Sequence, residues 1–540
     1  MSQSPWMLFI DDFVLARSTG FDRVIHHPRC RGVVIPADKP WETNGLNPLY
    51  VERRPDGRFI CFYVAMWWDI DRAQTIKAEN FRRDRPHQIF SAIAYAESDD
   101  GVHWIKPELG LVDAPAGVDR QRHAPYPSPN GSTTRRNNLG VPFVMVSDLH
   151  RHGDVTDPAR RYAIRVAPEY AGSFDVASQD MPGTSGGYFA AEIPDWRNDP
   201  HWQSNLIYSG GDFNPRRHAL HYWDRIHQEW VTLDQGVCPH WLPSREIARF
   251  ASKDLVHWTS RAVLYPDAAD RHDLECYDEL MMMLPWCAEG VVFGLLGWFH
   301  SDRSHPDAGP NLQPTPEHPF VWPWARKGTC EIRITISRDG GITWDRTSSR
   351  QAWIPHGSEP DSFDRTLAWG LPPVRVGDED WFYIYACNQD HLNTRNDPQQ
   401  TTYHHSGPSI RHTILYTQKH NRFVSMRARN QPSILITKPV RVSGGQLQLN
   451  VDADRGPVRV GIAPGEPIAT FNGSVPSIAP HLLPQHLLQG FSFDDCQTIR
   501  ANATEHVVVF KNASVQSLMG RSVCLLFEMA DADLYGFRFA

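Results

Sequence analysis

Glu42, Asp212, Asp273, Glu275, Asp361 and Asp364 stand just ahead of short apolar runs, in the stretches KPWE, GGDFN, RHDLECYDEL and EPDSFDR. Carboxyl groups brought from several strands to one place are what hydrolysis of a glycosidic bond demands. One is protonated as acid, a second is ionised as base or nucleophile, and a third can stabilise oxocarbenium charge. Glu42, Asp212 and Glu275 are the trio whose positions suit those roles. Trp41, Asn138, Asn214, Asp273 and Asp364 lie on the same approaches and are expected to bind substrate, together with Arg135, Arg136 and His404.

A second chemistry is open. The chain has 26 His, and the stretches TTRRNN (133–138) and YHHSGPSIRH (403–412) would suit a polysaccharide lyase. There Arg135 and Arg136 neutralise a uronate, and Tyr403, His404 or His405 takes the α-proton. A third reading, a non-catalytic sugar-binding protein, keeps aromatic platforms among the 19 Trp and lacks a matched carboxyl pair. No His-Glu-x-x-His spacing is present, so no metal is expected. No P-loop, Gly-x-Gly-x-x-Gly element or Gly-x-Ser-x-Gly elbow is present either, so no cofactor is expected.

Such residues need a scaffold that carries many strands to one point, and a repeat supplies it. SRDGGITW (337–344) has the form Ser-x-Asp-x-Gly-x-x-Trp and resembles the Asp-box of sialidases and other β-propellers. Weaker copies fall at AESDDGVHW, ending at Trp104, at FASKDLVHW, ending at Trp258, at SFDVASQDMPG and in ILYTQKHNRFVSM. Their leading residues, Ser98, Ser178, Ser252, Ser337 and Thr417, are 80, 74, 85 and 80 residues apart. Each unit holds about four aromatic and β-branched runs separated by turn residues, so each reads as a four-stranded blade. The fold class is all-β: a five-bladed β-propeller over 40–432, followed by a β-sandwich over 433–540, with strands of 1–39 packing on the propeller. Asp99 and Asp339 belong to outer turns between third and fourth strands, and their role is structural.

Composition agrees. The chain has 540 residues, 41% hydrophobic and 21% charged, with aromatics at 11% and 43 Pro. That length exceeds one ordinary core. Net charge is −8 with basic residues scattered, which argues against nucleic acid. The apolar stretch LMMMLPWCAEGVVFGLLGWF (280–299) holds Pro285 and Glu289, and reads as two buried strands around a turn rather than a membrane span. Nine Cys without a Cys-x-x-Cys pair, and an N-terminus with Asp11 and Asp12 in place of a greasy leader, point to the cytoplasm. A carbohydrate is the expected partner, and a homo-oligomer remains open.

The whole chain resembles proteins related to glycoside hydrolase family 32, through LFIDD (8–12), KPWE (39–42), AESDDGVHWIKPELGLV (96–112), NN (137–138), RRYAIR (160–165), SRDGGITW, LQLNVDA and DADLYGFRF. The resemblance implies a five-bladed propeller with a β-sandwich and work on carbohydrate, furanosides included. It also matches Glu275-Cys276 to the Glu-Cys pair that carries the family's acid/base. The chain departs from the family in having Trp41-Glu42 where a Trp-x-Asn-Asp-Pro element is expected, and no Arg-Asp-Pro element on blade two.

Overall fold

The computed structural model describes residues 4–69, 71, 89–122, 127–142, 149–151, 162–166, 186–190, 207–208, 221–237, 245–253, 257–270, 276–302, 328–359, 362–388, 411–470, 473–476 and 478–540. Strands dominate them, and short 3-10 turns are the helical elements. None of the helices among them is long and apolar enough to cross a membrane.

The N-terminal strands are β1 (Met7–Leu8), β2 (Leu15–Arg17), β3 (Phe21–Ile25) and β4 (Arg29–Ile35). A first antiparallel sheet follows: β5 (Leu46–Arg53), β6 (Phe59–Trp68) and β7 (Ile89–Ser98). An excursion carries two small hairpins made of β8 (Ala114–Pro115), β9 (Val118–Asp119), β10 (Ser128–Pro129) and β11 (Thr133–Thr134). The first sheet is then completed by β12 (Leu139–Pro142) on β7. β13 (Leu149–Arg151), β14 (Tyr162–Val166), β15 (Gly186–Ala190) and β16 (Ile207–Tyr208) make a second meander. A third contains β17 (His221–Asp224), β18 (Glu229–Val237), β19 (Arg245–Ser252) and β20 (Thr259–Leu264).

The last propeller sheet has eight strands. β21 (Cys276–Ala288), β22 (Val291–Asp302) and β23 (Gly328–Ser337) touch β24 (Thr366–Gly370) through one parallel pair, Cys330 with Thr366. β25 (Val374–Val376), β26 (Glu379–Cys387) and β27 (Arg411–Lys419) continue from there, and β4 pairs with β27 as the outermost strand. The apolar stretch 280–299 is indeed a hairpin, β21 to β22, turning at Glu289 (φ 52°) and Gly290 (φ 71°).

These sheets stack face to face, as the sequence of β6 requires. Every residue of FICFYVAMWW is buried, which suits a strand covered on both faces rather than an alternating one. Phe59, Cys61, Tyr63, Ala65 and Trp67 pack in one cluster with Trp369, Tyr383, Tyr385 and Leu415. The first sheet therefore lies against the last, and the meanders close into the ring of a β-propeller.

The Asp-turns make these joints. Asp339 accepts from the Ile342 and Thr343 amides (3.1 and 2.8 Å) and from the Thr343 hydroxyl (2.6 Å), while the Ser337 hydroxyl donates to it at 2.8 Å. In the first sheet Asp100 does the same work with Ser98, Val102 and His103. Asp99, expected in that role, instead projects into solvent opposite Arg58, because Asp100 is the residue two places after Ser98, as Asp339 is two places after Ser337. Both turns lie between the third strand and a short fourth segment that bridges back, Ile105 to Glu97 and Asp345 to Ile336. Each offers a glycine carbonyl to a tyrosine of the neighbouring sheet: Tyr383 donates to Gly101 (2.9 Å), and Tyr222 donates to Gly340 (3.1 Å).

The remaining strands are β28 (Val424–Ala428), β29 (Ser433–Thr437), β30 (Val440–Arg441), β31 (Leu447–Asp452), β32 (Val458–Pro464), β33 (Pro467–Thr470), β34 (Gly473–Pro476), β35 (Asn502–Val507), β36 (Ser522–Met529) and β37 (Asp533–Phe539). Two sheets of this set face each other across a core that includes Leu449, Val460, Leu525 and Phe537. The N-terminal segment, expected on the propeller, is divided. β1, β2 and β3 pair with β37, β29 and β28 of this β-sandwich, and β4 alone pairs with the propeller.

Replacing Asp339 by Ala should lower stability by about 1–3 kcal/mol through lost turn hydrogen bonds. Chemical denaturation measures it. Turnover of the folded fraction should hardly change, and a large turnover loss at unaltered stability would overturn the structural role.

Candidate active site at the leading ends of the inner strands

β5, β17 and β21 are the first strands of their sheets in chain order and β24 follows the single-pair contact within the eight-stranded sheet; each runs away from the face at which β7, β19, β23 and β27 also begin. The acidic candidates all precede such opening strands. Asp212, Asn214, Asp273, Glu275, Asp361 and His404 lie outside the described residues, as do Tyr403 and His405; β21 begins directly after Glu275.

Glu42 ends a short 3-10 turn, Pro40–Glu42, on the crossing from β4 to β5. Its carboxylate is wholly buried and fully engaged. It accepts from the Asp38 and Lys39 amides (2.9 and 3.1 Å), from the Tyr63 hydroxyl (2.7 Å) and from Lys106 Nζ at both oxygens (2.9 and 2.7 Å). Asn138 donates to the Tyr63 oxygen (2.6 Å) and accepts from the Trp41 indole (3.0 Å). Burial and the adjacent Glu42 charge push the Tyr63 phenol well above its ordinary range, so it remains a donor.

The structure thus gathers Trp41, Glu42 and Asn138, but into a closed network between the first and last sheets. Both Glu42 oxygens have partners within the protein, an arrangement that anchors the crossing segment. Asn137 and Asn138 are likewise not on the approach to the second sheet. They lead into β12, the outer strand of the first, and Asn138 also donates to the Tyr95 carbonyl of β7 (2.7 Å). Arg135 and Arg136 are exposed on the excursion and pair with its own acids, Asp113 (3.2 Å) and Glu108 (3.1 Å). Asp364 is half-buried in the loop before β24, where its carbonyl accepts from the Gly357 amide (2.9 Å) and its carboxylate packs against Gly357.

A second charged group occupies the leading end of β21 and its partners, and no pattern in the sequence marks it. His300 and Asp278 face each other across β22 and β21, and His300 Nδ1 lies 2.8 Å from Asp278 Oδ1. His300 Nε2 is 3.4 Å from Glu331 Oε1 on β23, an oxygen already bonded by Arg333 Nε at 2.7 Å. Arg333 lies over the Trp298 ring at 4.0 Å. Burial alone would lower the imidazole's pKa, but hydrogen bonds to the two carboxylates outweigh it and raise it from 6.5 to about 9, so His300 is an imidazolium at neutral pH. The imidazolium and Arg333 in turn hold the Glu331 carboxyl below its usual range despite burial. Beside this group Arg245 Nε is 3.6 Å from the buried Glu279. The stretch RHDLECYDEL contains Asp278 and Glu279, but their partners come from β19, β22 and β23, and only strand register unites them.

Asp224, His227 and Glu229 are close enough together to hold an ion. Arg249 already donates to both carboxylates at 2.9 Å, so an internal cation organises that turn. A cleft of about 600 Å3, lined by Tyr50, Trp223, Trp286 and Pro372, lies at the opposite ends of the opening strands, far from the acidic approaches.

No family model and no curated protein matches the chain. Solved structures are similar in outline. A complex of BT0996 with RGII is 12% identical, with a TM-score of 0.38, over 73% of this protein and 92% of its own length. A structure of the GH130 family, mannoside phosphorylases that include hydrolases targeting β-1,2-mannosidic linkages in Candida mannan, is 12% identical at TM-score 0.36, over 77% and 96%. An α-L-arabinofuranosidase from Lactobacillus brevis is 11% identical at 0.35, over 71% and 91%. Overlap of that size transfers no residue role and no activity to this protein.

Both charged networks should be visible in stability. Glu42→Gln strands Lys106 against the remaining partners and should cost about 3–5 kcal/mol, read by denaturant midpoint. His300 has a folded pKa above its unfolded value, so its contribution is complete below pH 6.5 and is lost as pH rises through about 9. The melting temperature should therefore fall across that window more steeply in the native chain than in His300→Gln.

Proposed function

We propose that the chain is a glycoside hydrolase acting on short oligosaccharides, furanosides among them, at the leading ends of the inner strands of a five-bladed propeller. In this reading the eight-stranded sheet counts as two blades, since β23 and β24 touch by a single pair. Glu275 is the acid/base, Asp212 its carboxylate partner, and Glu42 an anchor of the crossing segment. The observation that supports it is positional. Acidic residues precede inner strands at one face, and a reachable group of buried charges, Asp278, His300 and Glu331, stands at that same face. Glu275 lies three residues before Asp278, within roughly 10 Å of chain.

Asp273, Asn214, Asp364 and His404 are proposed as substrate contacts. The carboxyl groups must stand about 5–5.5 Å apart for retention of configuration or about 6.5–9.5 Å for inversion. A lyase acting on uronate-containing glycans is the second reading, favoured by the fixed cation at His300. Elimination leaves an unsaturated uronate that absorbs in the ultraviolet, and hydrolysis does not.

Glu275→Gln and Asp212→Asn should each lower turnover of a cleaved aryl glycoside by about a hundredfold or more at unchanged melting temperature. Retained activity in both variants, or growth of the unsaturated product's absorbance, would exclude the hydrolase assignment.

A further inference from the structure

We propose that His300 is a substrate-contacting residue of this site, a fixed imidazolium that donates Nε2–H to a sugar hydroxyl, with Asp278 and Glu331 as its positioning residues. The inference deepens the hydrolase reading and rests on it for the location of the site.

Three features support it. The ring is held most firmly at Nδ1, which donates to Asp278 at 2.8 Å, a strong charge-assisted bond that fixes its plane. Nε2 faces Glu331 at 3.4 Å, a long contact that a sugar hydroxyl at ordinary hydrogen-bond distance can take over. The side chain is 28% exposed, while Asp278, Glu331 and Arg333 around it are at most 10% exposed. Here the supports are buried and the cation reaches out.

Among the described residues, the groups facing His300 are Asp278 from β21, Glu331 and Arg333 from β23, and the His356 ring, 6.3 Å away on the segment leading toward β24. His356 Nδ1 donates to the Gly357 carbonyl at 2.9 Å, so that ring is held separately. Among the described residues the two carboxylates balance Arg333 and the imidazolium, which leaves a charged donor without excess positive charge and suits a sugar hydroxyl better than a phosphate.

The test is calorimetric binding of a panel of free monosaccharides (arabinose, fructose, mannose, galactose and glucuronate). It uses the full chain, at neutral pH and well above the imidazolium's pKa of about 9. A sugar should bind at neutral pH and lose about 10- to 100-fold in affinity both at the higher pH and in His300→Gln, the range expected when a hydrogen bond to a charged group is removed. Glu331→Gln, which leaves the ring in place, should move the pH-dependent loss toward neutral. Unchanged affinity in His300→Gln or at high pH overturns the inference and leaves the hydrolase reading standing. If His300-dependent binding is found but no aryl glycoside is cleaved, the hydrolase reading falls and the contact remains. If no sugar binds at all, both fall. Should His300→Gln fail to fold, the pH dependence of the native chain decides alone.

Discussion

Closure of the ring is the constraint from which the rest of this molecule follows. A row of face-to-face sheets has two unprotected ends, and each blade is stable only when both faces are covered. Two devices remove those ends. β4 lies on the outer edge of the last sheet through its pairing with β27, so the N-terminal segment locks the final blade. The first sheet then packs on the last, with Phe59 stacked on Trp381 at 5.9 Å and the Gly101 carbonyl docked on Tyr383. Having served as an outer strand, the chain must cross the whole blade face to reach the axis and begin β5. That crossing contains Trp41 and Glu42, and it explains their burial.

The two ends of the blades handle charge differently. At the Asp-turn end, Asp100 and Asp339 are satisfied by the amides of their own turn, an arrangement that needs only a glycine and a short loop, although Asp224 and Glu229 there also take Arg249. At the other end, side chains from different strands must satisfy one another. Glu42 with Lys106, and Asp278 with His300 and Glu331, both do so, but with opposite consequences. Lys106 is 6% exposed and closes its network against solvent, whereas His300 is 28% exposed. Chemistry needs a group that is held and yet reachable, and of these two networks only the second offers one.

What was legible in the sequence is what local rules encode. The Ser-x-Asp turns at Asp100 and Asp339 and the buried β21–β22 hairpin follow from spacing and turn chemistry within a few residues, and the all-β fold class followed from such runs and turns. What was not legible depends on register and on long-range pairing. Asn138 reads as the approach to a second blade, but the fourth strand of the first sheet is interrupted by the excursion and resumes only at Leu139, opposite Ala94. Asp278 and His300 meet because β21 pairs with β22 at that register, which no one-dimensional spacing announces.

Removing Glu42 from the carboxyl trio also changes what the proposed chemistry demands of the ring. Glu42 precedes the first inner strand, and Glu275 precedes one that packs on the third sheet, where Tyr222 and Leu280 share a cluster. Asp212 precedes β17, which opens that third sheet. Sheets packed face to face lie about 10 Å apart, and carboxyl groups leaning inward from two such neighbours span the window of about 5–9.5 Å that glycoside hydrolysis requires. A pair taken from opposite sides of the ring would have to bridge the axis itself. The full engagement of Glu42 thus favours, in the proposed hydrolase, a partnership between neighbouring blades, which would seat the reacting sugar beside His300.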